Sequence, residues 1–430
     1  MTSRSYSATI SDLYQLQQFA EKQGVQNIRK LVNRLGNPQR KYPILHIAGT
    51  NGKGSTSIIL QNILKQHGLK VGLYTSPHLL DFRERIRIND HFITKAYIQA
   101  YWSEMADFVN RHKMTFFDTT TALAFNYFYD QRVDVAIVET GLGGRLDSTN
   151  IVNPAGVILT PIHRDHTKQL GRRLKSIARE KAAIIKPDSV LFCGKQHFLI
   201  YELFEQYRKK ASQWTYLSQA GHIRNIKMYN SYSEFDLIDK NRQIKYSDLR
   251  LSLAGKHQLD NAFLAYFAAR WYLAEIETLF RAEIFKKSLK HISWPGRLQK
   301  ISEKPDIYMD VSHNYDGFKK TLEFVKYFYP VHKAHLLVGL LSDKDHRTIA
   351  RLVAQYFTSI TVTELVHQKP LPAVDFAKEL KKWNINPIVK TNNHQAFKEI
   401  SKNLEEDDAL FVMGSHFLVG NLLRSFQKST

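Results

Sequence analysis

Short apolar runs alternate with longer segments of helical period through most of this chain. Ile44 to Ala48, Lys70 to Tyr74, Val133 to Val138, Gly156 to Leu159 and Val190 to Cys193 read as strands. Continuous apolar runs of this length suit strands covered on both faces, and helix patterns between them predict an α/β fold with a largely parallel sheet. From Ile223 to Leu253 the pattern changes to polar alternation, which predicts a small region of antiparallel hairpins. The segment Leu253-Ala-Gly-Lys-His-Gln-Leu-Asp-Asn261 then opens a long helix. Near Trp294-Pro-Gly-Arg297 the alternation breaks, and a second series of strands begins at Asp306-Ile-Tyr-Met-Asp310. His335 to Val338, Ile360 to Thr363, Pro387 to Val389 and Ala409 to Met413 continue it. Two domains are expected, residues 1–295 and a Rossmann-like unit over 296–430, with one continuous α/β domain as the alternative.

Composition narrows the class without naming a chemistry. Apolar residues make up 43% of the 430, enough for ordinary buried cores. No apolar run approaches the roughly 20 residues that span a bilayer, and the first residues lack the apolar core of a signal peptide, so a cytoplasmic protein without a membrane partner is expected. The single cysteine, Cys193, excludes an internal disulfide and a cysteine metal cluster. A net charge of +21 raises nucleic acid as a partner. Lysine and arginine are spread along the chain, however, and clefts for small anions account for them as well. No specific nucleic-acid partner is expected, only weak, salt-sensitive binding.

The chemistry begins at His46-Ile-Ala-Gly-Thr-Asn-Gly-Lys-Gly-Ser-Thr56, where an apolar strand runs through three glycines, a lysine and two hydroxyls into a helix. Such a turn presents backbone N–H groups and a helix N-terminus to phosphate. Gly49, Gly52 and Gly54 would let backbone N–H groups approach the phosphates and tolerate positive φ, with Thr50 and Asn51 between them. Lys53 would reach the outer phosphates, and Ser55 or Thr56 a magnesium ion. The spacing departs from G-x-x-x-x-G-K-[ST]: Ile47 stands at the first glycine position and Gly54 follows the lysine. Glu139 ends the run Val133 to Val138, at a strand's carboxyl end where open α/β sheets place ligands.

Further motifs give the loop a context: LVNRLGNPQRKYPILHIAGTNGKGS, SPHLLDFRERIRIND from Ser76, TFFDTTTALAF from Thr115, ETGLGGRLDSTN from Glu139 and DHTKQLG from Asp165. In this order and spacing the chain resembles the folylpolyglutamate synthase and dihydrofolate synthase family, within the Mur ligase superfamily of ATP-dependent amide-forming enzymes. The resemblance implies an N-terminal ATP-binding Mur ligase domain and a C-terminal glutamate ligase domain. It implies ATP and two magnesium ions, with Ser76 serving the first ion, and Glu139, His166 and a carbamylated Lys181 the second. Carbamylation would turn the lysine nitrogen into an oxygen-bearing anionic ligand of the kind magnesium prefers. Phe82 and Arg83, in a segment expected to be mobile, would lie close to folate, and Phe117, Asp147 and Ser148 would face the pterin. From the C-terminal part, Arg297 would meet phosphate, Asp310 the ribose, and His313 the terminal phosphate and substrate when the domains close. Gln258 and Asn261 are implied as nucleotide contacts and Ser415 as a substrate contact, while Asp343 and Asp345 line a glutamate pocket or cap a turn. The family's D-G-A-H-N-P reads DVSHNY here, so Val311, Ser312 and Tyr315 depart from it. The expected partners are folate or dihydropteroate and L-glutamate, acted on by a monomer. Extension of folate tails and formation of dihydrofolate both remain open at this point.

Overall fold

The computed structural model describes residues 5–16, 24–209 and 211–429. They pack as two units. The first takes in residues up to 224 with 236–247 and 260–290; the second takes in 225–235, 248–259 and everything from 291. Parts of the hairpin region therefore cluster with the second unit, which a single cut at 295 would leave with the first.

The first unit carries an eight-stranded sheet: β1 (Ile44–Ala48), β2 (Val71–Tyr74), β3 (Ile86–Ile88), β4 (His91–Phe92), β5 (Val135–Glu139), β6 (Gly156–Leu159), β7 (Val190–Cys193) and β8 (Gln213–Tyr216). Their order is β4-β3-β2-β5-β1-β6-β7-β8. From β2 to β8 every pair is parallel, and β3 and β4 extend the edge in antiparallel fashion. The apolar runs read from the sequence are these parallel strands, and β1, β2, β5, β6 and β7 are buried along their whole length. Chain order reverses across β1, which lies between β5 and β6, so a crevice opens at their carboxyl ends. Register brings the ends together: Ile47 faces Glu139 on one side and Ile158 on the other.

Three antiparallel strands follow, β9 (Gly221–Met228), β10 (Ser233–Asp239) and β11 (Ile244–Leu251), in the order β11-β10-β9. Their exposed, alternating faces agree with the polar pattern of the segment.

In the second unit β12 (Gln299–Ser302), β13 (Asp306–Met309), β14 (Ala334–Val338), β15 (Ser359–Thr363), β16 (Ile388–Lys390) and β17 (Ala409–Met413) form a sheet ordered β12-β13-β17-β14-β15-β16. Only β12 runs antiparallel. Strand β17 is inserted between β13 and β14, so Asp310 and Ser415 both follow the carboxyl ends of neighbouring strands. No helix of the described residues is long and apolar enough to cross a membrane.

Candidate active site

The phosphate loop leaves β1 at Gly49, whose φ is 155°, and enters the helix Lys53–Gln66 through Gly52 at φ 89°. Neither position tolerates a side chain. A Cβ on Gly49 would lie 1.8 Å from Thr160 Oγ1, and one on Gly52 would lie 2.4 Å from Asn261 Oδ1. The loop is held from beneath: the Thr50 amide donates to Pro161 O at 3.0 Å, and the Thr50 hydroxyl donates to His163 O at 3.0 Å. The Asn51 amide reaches the same Pro161 carbonyl at 3.4 Å. A cradle closed to side chains at the N-terminus of a helix fits a nucleotide phosphate.

Of the three glycines, Gly54 does not use the positive φ open to it; it lies buried in the first helical turn, because the left-handed step is completed at Gly52. Thr56, buried, donates to Asn261 Oδ1 at 3.5 Å, and Ser55 is buried beside it in the same turn. Asn261 thus packs beneath Gly52 and Thr56.

Around this loop the buried charges converge. Lys53 Nζ donates to the carbonyls of Gly49 and Thr50, at 3.3 Å each, and stands 3.7 Å from Glu139 Oε1. Lys181, buried on the helix Leu174–Ala182, donates from Nζ to the Gly49 carbonyl at 2.7 Å. Burial first, and the neighbouring Lys53 charge second, bring its pKa down to about 7 against the opposing pull of Asp165, Asp147 and Glu139. His166, half-exposed, sits in the left-handed region at φ 49° and begins the short helix Thr167–Leu170. Asp165 accepts the His166 amide at 2.8 Å, and its second oxygen lies 3.9 Å from His166 Nε2. Asp165 had no role assigned from the sequence; an acid immediately before the histidine was the available signal. Glu139 and His166 do not close a three-residue cluster with another histidine or acid. Among the described residues the one such group is Glu405, Asp407 and Asp408, held by Lys333 on the second unit. A magnesium ion at Glu139 therefore fits this donor set only with ligands of another kind, such as the hydroxyls of Ser55 and Ser76 or a modified Lys181.

Beside the loop opens a cleft of about 420 Å³ whose walls include Ser76, Phe117, Asp147 and Ser148, as expected, together with Arg85, Phe116 and Asp118. The Phe117 ring is seated by Gly141, where a Cβ would come within 2.4 Å of it. Asp147 accepts from the Leu142 amide at 2.8 Å and from the Thr149 hydroxyl at 2.6 Å, and Ser148 donates to Asp118 at 2.6 Å. These bonds hold the cleft floor rigid before any ligand enters.

The segment Phe82–Arg85 is a 3₁₀ turn leading into β3. Glu84 accepts the amides of Leu79, Leu80 and Asp81, a reciprocal cap with the Asp81 carboxylate. Phe82 and Arg83 do not face the cleft. Phe82 is buried in the core against Phe116, and Arg83 is bound to Asp81 at 2.8 Å. Arg85 lines the cleft instead: it is buried, bonded through Nε to His78 Nδ1 at 2.8 Å, and stacked over Phe116. The D-x-x-E spacing of Asp81 and Glu84 was the overlooked signal, since a capped turn ties its own second residue to the cap.

In the second unit Asp310 is buried and accepts from the Leu298 and Ser312 amides and the Thr321 hydroxyl, at 2.9, 3.0 and 3.1 Å. In this structure the carboxylate fastens the turn of Arg297 and Leu298 to the end of β13. His313 Nδ1 bonds the Val311 carbonyl at 3.0 Å, and its ring lies 5.6 Å from that of His416. Ser415 accepts the Phe417 amide at 3.1 Å at the start of the last helix. Arg297 stands near His257, whose pKa falls to about 3 through burial, Lys320 and Arg297 in that order. Gln258 is buried in the first turn of the helix His257–Glu275. Asp345 caps the helix His346–Val353 by accepting the Thr348 amide.

A glycine cradle at a helix N-terminus, an acid on the adjacent strand and a near-neutral buried lysine together define a nucleotide-dependent ligase site. Family models agree on the class: residues 47–269 match the Mur ligase middle domain, and residues 296–416 match the Mur ligase glutamate ligase domain. The dihydrofolate synthase/folylpolyglutamate synthase of Bacillus subtilis is 31% identical over 94% of this chain and 95% of its own. The folylpolyglutamate synthase of Lacticaseibacillus casei is 31% identical over 86% of this chain and 88% of its own. Among solved structures, Mycobacterium tuberculosis folylpolyglutamate synthase complexed with ADP and AMPPCP superimposes with a TM-score of 0.88 at 27% identity, covering 98% of this chain and 99% of that one. The chain belongs to the folylpolyglutamate synthase/dihydrofolate synthase family of the Mur ligases.

Proposed function

We propose that this protein is an ATP-dependent ligase that adds L-glutamate to folates, through an acyl phosphate. The observation that carries this reading is the convergence of Lys53 and Lys181 on the Gly49 carbonyl, with Glu139 3.7 Å from the Lys53 ammonium, next to a cleft walled by Phe117, Asp147 and Arg85. A carboxylate is a poor acylating agent, so its activation by the outer phosphate of ATP must precede attack by the glutamate amine. Lys53, folded over the loop, supplies charge to the transferred phosphoryl group. Magnesium would neutralise phosphate oxygens, and Ser55, Ser76, Glu139, His166 and Lys181 are the residues to hold it. At a pKa of about 7, half of Lys181 is a neutral amine at neutral pH, the form that can add to carbon dioxide and become a carbamate. Arg297, Asp310 and His313 of the second unit are assigned to the nucleotide, and Ser415 to the substrate.

We further assign the cleft to the pteridine head, with the buried Arg85 guanidinium donating to its carbonyl. On this reading dihydropteroate fits the same cleft, so the enzyme also makes dihydrofolate. The reaction belongs in the cytoplasm and needs one chain. The test is ATP-dependent incorporation of labelled glutamate into tetrahydrofolate and dihydropteroate, side by side, with release of ADP and phosphate. Glutamate incorporation into neither overturns the assignment; incorporation into tetrahydrofolate alone confines it to tail extension.

A further inference from the structure

The segment from Arg164 to Lys181 concentrates positive charge next to the reaction centre. Arg164, Lys168, Arg172, Arg173 and Arg179 are all exposed, and among the described residues none of their side chains has an ion-pair or hydrogen-bond partner. Some cations elsewhere are matched by an acid, as Lys65 is by Asp90 and Lys195 by Asp260, whereas these five, close together in the chain, are not. Leaving like charges adjacent and unmatched costs self-repulsion, which a bound polyanion would relieve.

This segment is also physically continuous with the cleft. Gly141, Leu142, Leu146 and Asp147 wall the cleft, and the same loop packs on the basic segment. A Cβ on Gly143 would come 3.0 Å from the Leu170 side chain. The Arg145 amide donates to Glu180 O at 2.8 Å, and its guanidinium pairs with the Glu180 carboxylate at 2.9 Å. Lys181 links the segment to the phosphate loop through Gly49.

A substrate with several γ-linked glutamates must keep its head in the cleft and its terminal carboxylate at the phosphate loop. Each added residue lengthens the connection and adds one carboxylate, so the internal residues must leave the direct path. We propose that the exposed cations Arg164, Lys168, Arg172, Arg173 and Arg179 form a docking strip for the polyanionic γ-glutamyl tail, an inference that rests on the ligase reading above. Affinity then increases with tail length, and the increase is lost in high salt.

The test is the charge-reversed variant R172E/R173E, with R172Q/R173Q as the milder companion, in the intact protein. KM is measured for folates bearing one and five γ-glutamates at low and high salt. Binding of a γ-linked pentaglutamate peptide lacking the pteridine is measured separately. In R172E/R173E the KM for the five-glutamate substrate should rise about tenfold, the sum of lost attraction and added repulsion at two exposed positions. The one-glutamate KM, the ATP KM and kcat should stay within twofold. The glutamine variant should move the same way by less, and both should weaken peptide binding. Equal effects on both tail lengths, or no effect on peptide binding, overturn the proposal. Tighter binding of a single-stranded oligonucleotide than of the peptide, abolished by the same substitutions, reassigns the strip. A wild-type enzyme that ligates glutamate to no folate defeats the ligase reading instead, and peptide binding then still decides the strip.

Discussion

Replacing Lys181 by methionine should stabilise the protein while abolishing its activity. The ammonium is buried and lies close to Lys53, so its pKa falls from 10.5 to about 7. One pKa unit corresponds to about 1.36 kcal/mol, and the depression therefore costs the folded state about 5 kcal/mol below pH 7, where both states must carry the charge. The sign follows from proton binding. Between pH 7 and 10.5 the unfolded chain holds the proton and the folded chain has released it, so stability rises with pH across this window. Above pH 10.5 there is no penalty; below pH 7 it is constant. The bond to the Gly49 carbonyl offsets about 1 kcal/mol of it. Methionine has similar length and no charge, so Lys181→Met should be more stable by about 3–5 kcal/mol at pH 6. Its advantage should shrink by about 1.4 kcal/mol per pH unit above pH 7. Urea unfolding of both proteins from pH 6 to pH 10, in buffer freed of carbon dioxide, measures this directly. A stability difference that does not vary with pH, or a methionine variant less stable at pH 6, refutes the argument. Lys181→Arg should be inactive as well, because a guanidinium stays charged and does not form a carbamate.

Lys53→Ala should lose turnover by at least about a thousandfold with an unfolding midpoint close to wild type, since the largely buried lysine contacts loop carbonyls and Glu139 rather than core. Residual ligation near the wild-type rate would remove the phosphate site from this loop. Arg85→Ala should raise the folate KM by roughly ten- to a hundredfold through loss of a buried charged donor, leaving the ATP KM alone, whereas Arg83→Ala should change either by less than about twofold. Steady-state kinetics with both substrates varied would expose a reversed order. His46 is fully buried on β1 with Nε2 bonded to Thr149, and burial, then Lys186, holds its pKa near 3. Stability from this group is complete above pH 6.5 and is lost as pH falls toward 3, at about 1.4 kcal/mol per unit. His46→Gln should flatten that part of the acid-unfolding profile, and an unchanged slope would show that the histidine charges freely in the folded protein.

Much of the architecture was legible because its signals are local. The parallel strands announce themselves as unbroken apolar runs, since both faces of that sheet are covered and no polar alternation is possible. The edge strands β4, β8 and β12 escaped because edges are short and partly exposed and carry no such run, and β3, beside β4, escaped because three residues are too short to show one. The phosphate loop was readable for a related reason: a chain that must cross left-handed geometry beside Asn261 admits only glycine at position 52, and that demand is written into one residue.

What the sequence by itself determined is therefore the set of elements and the kind of chemistry: a glycine cradle with a lysine, an acid at a strand end and a histidine after the next strand. Tertiary structure decided which of the candidates meet. The bond from Lys181 to Gly49 joins residues 132 apart, and the contact of Thr56 with Asn261 joins residues 205 apart. Neither pairing has a local signature: one ties a buried lysine to the phosphate loop, the other ties the first helical turn after that loop to a helix far along the chain. Arg83 and Arg85 stand two residues apart in one turn, yet the cap at Asp81 holds the first outside while the turn into β3 buries the second beside the cleft. Charge and hydrogen-bonding capacity belong to the residue, but burial and partners belong to the fold, and these set the pKa and the direction in which each side chain acts.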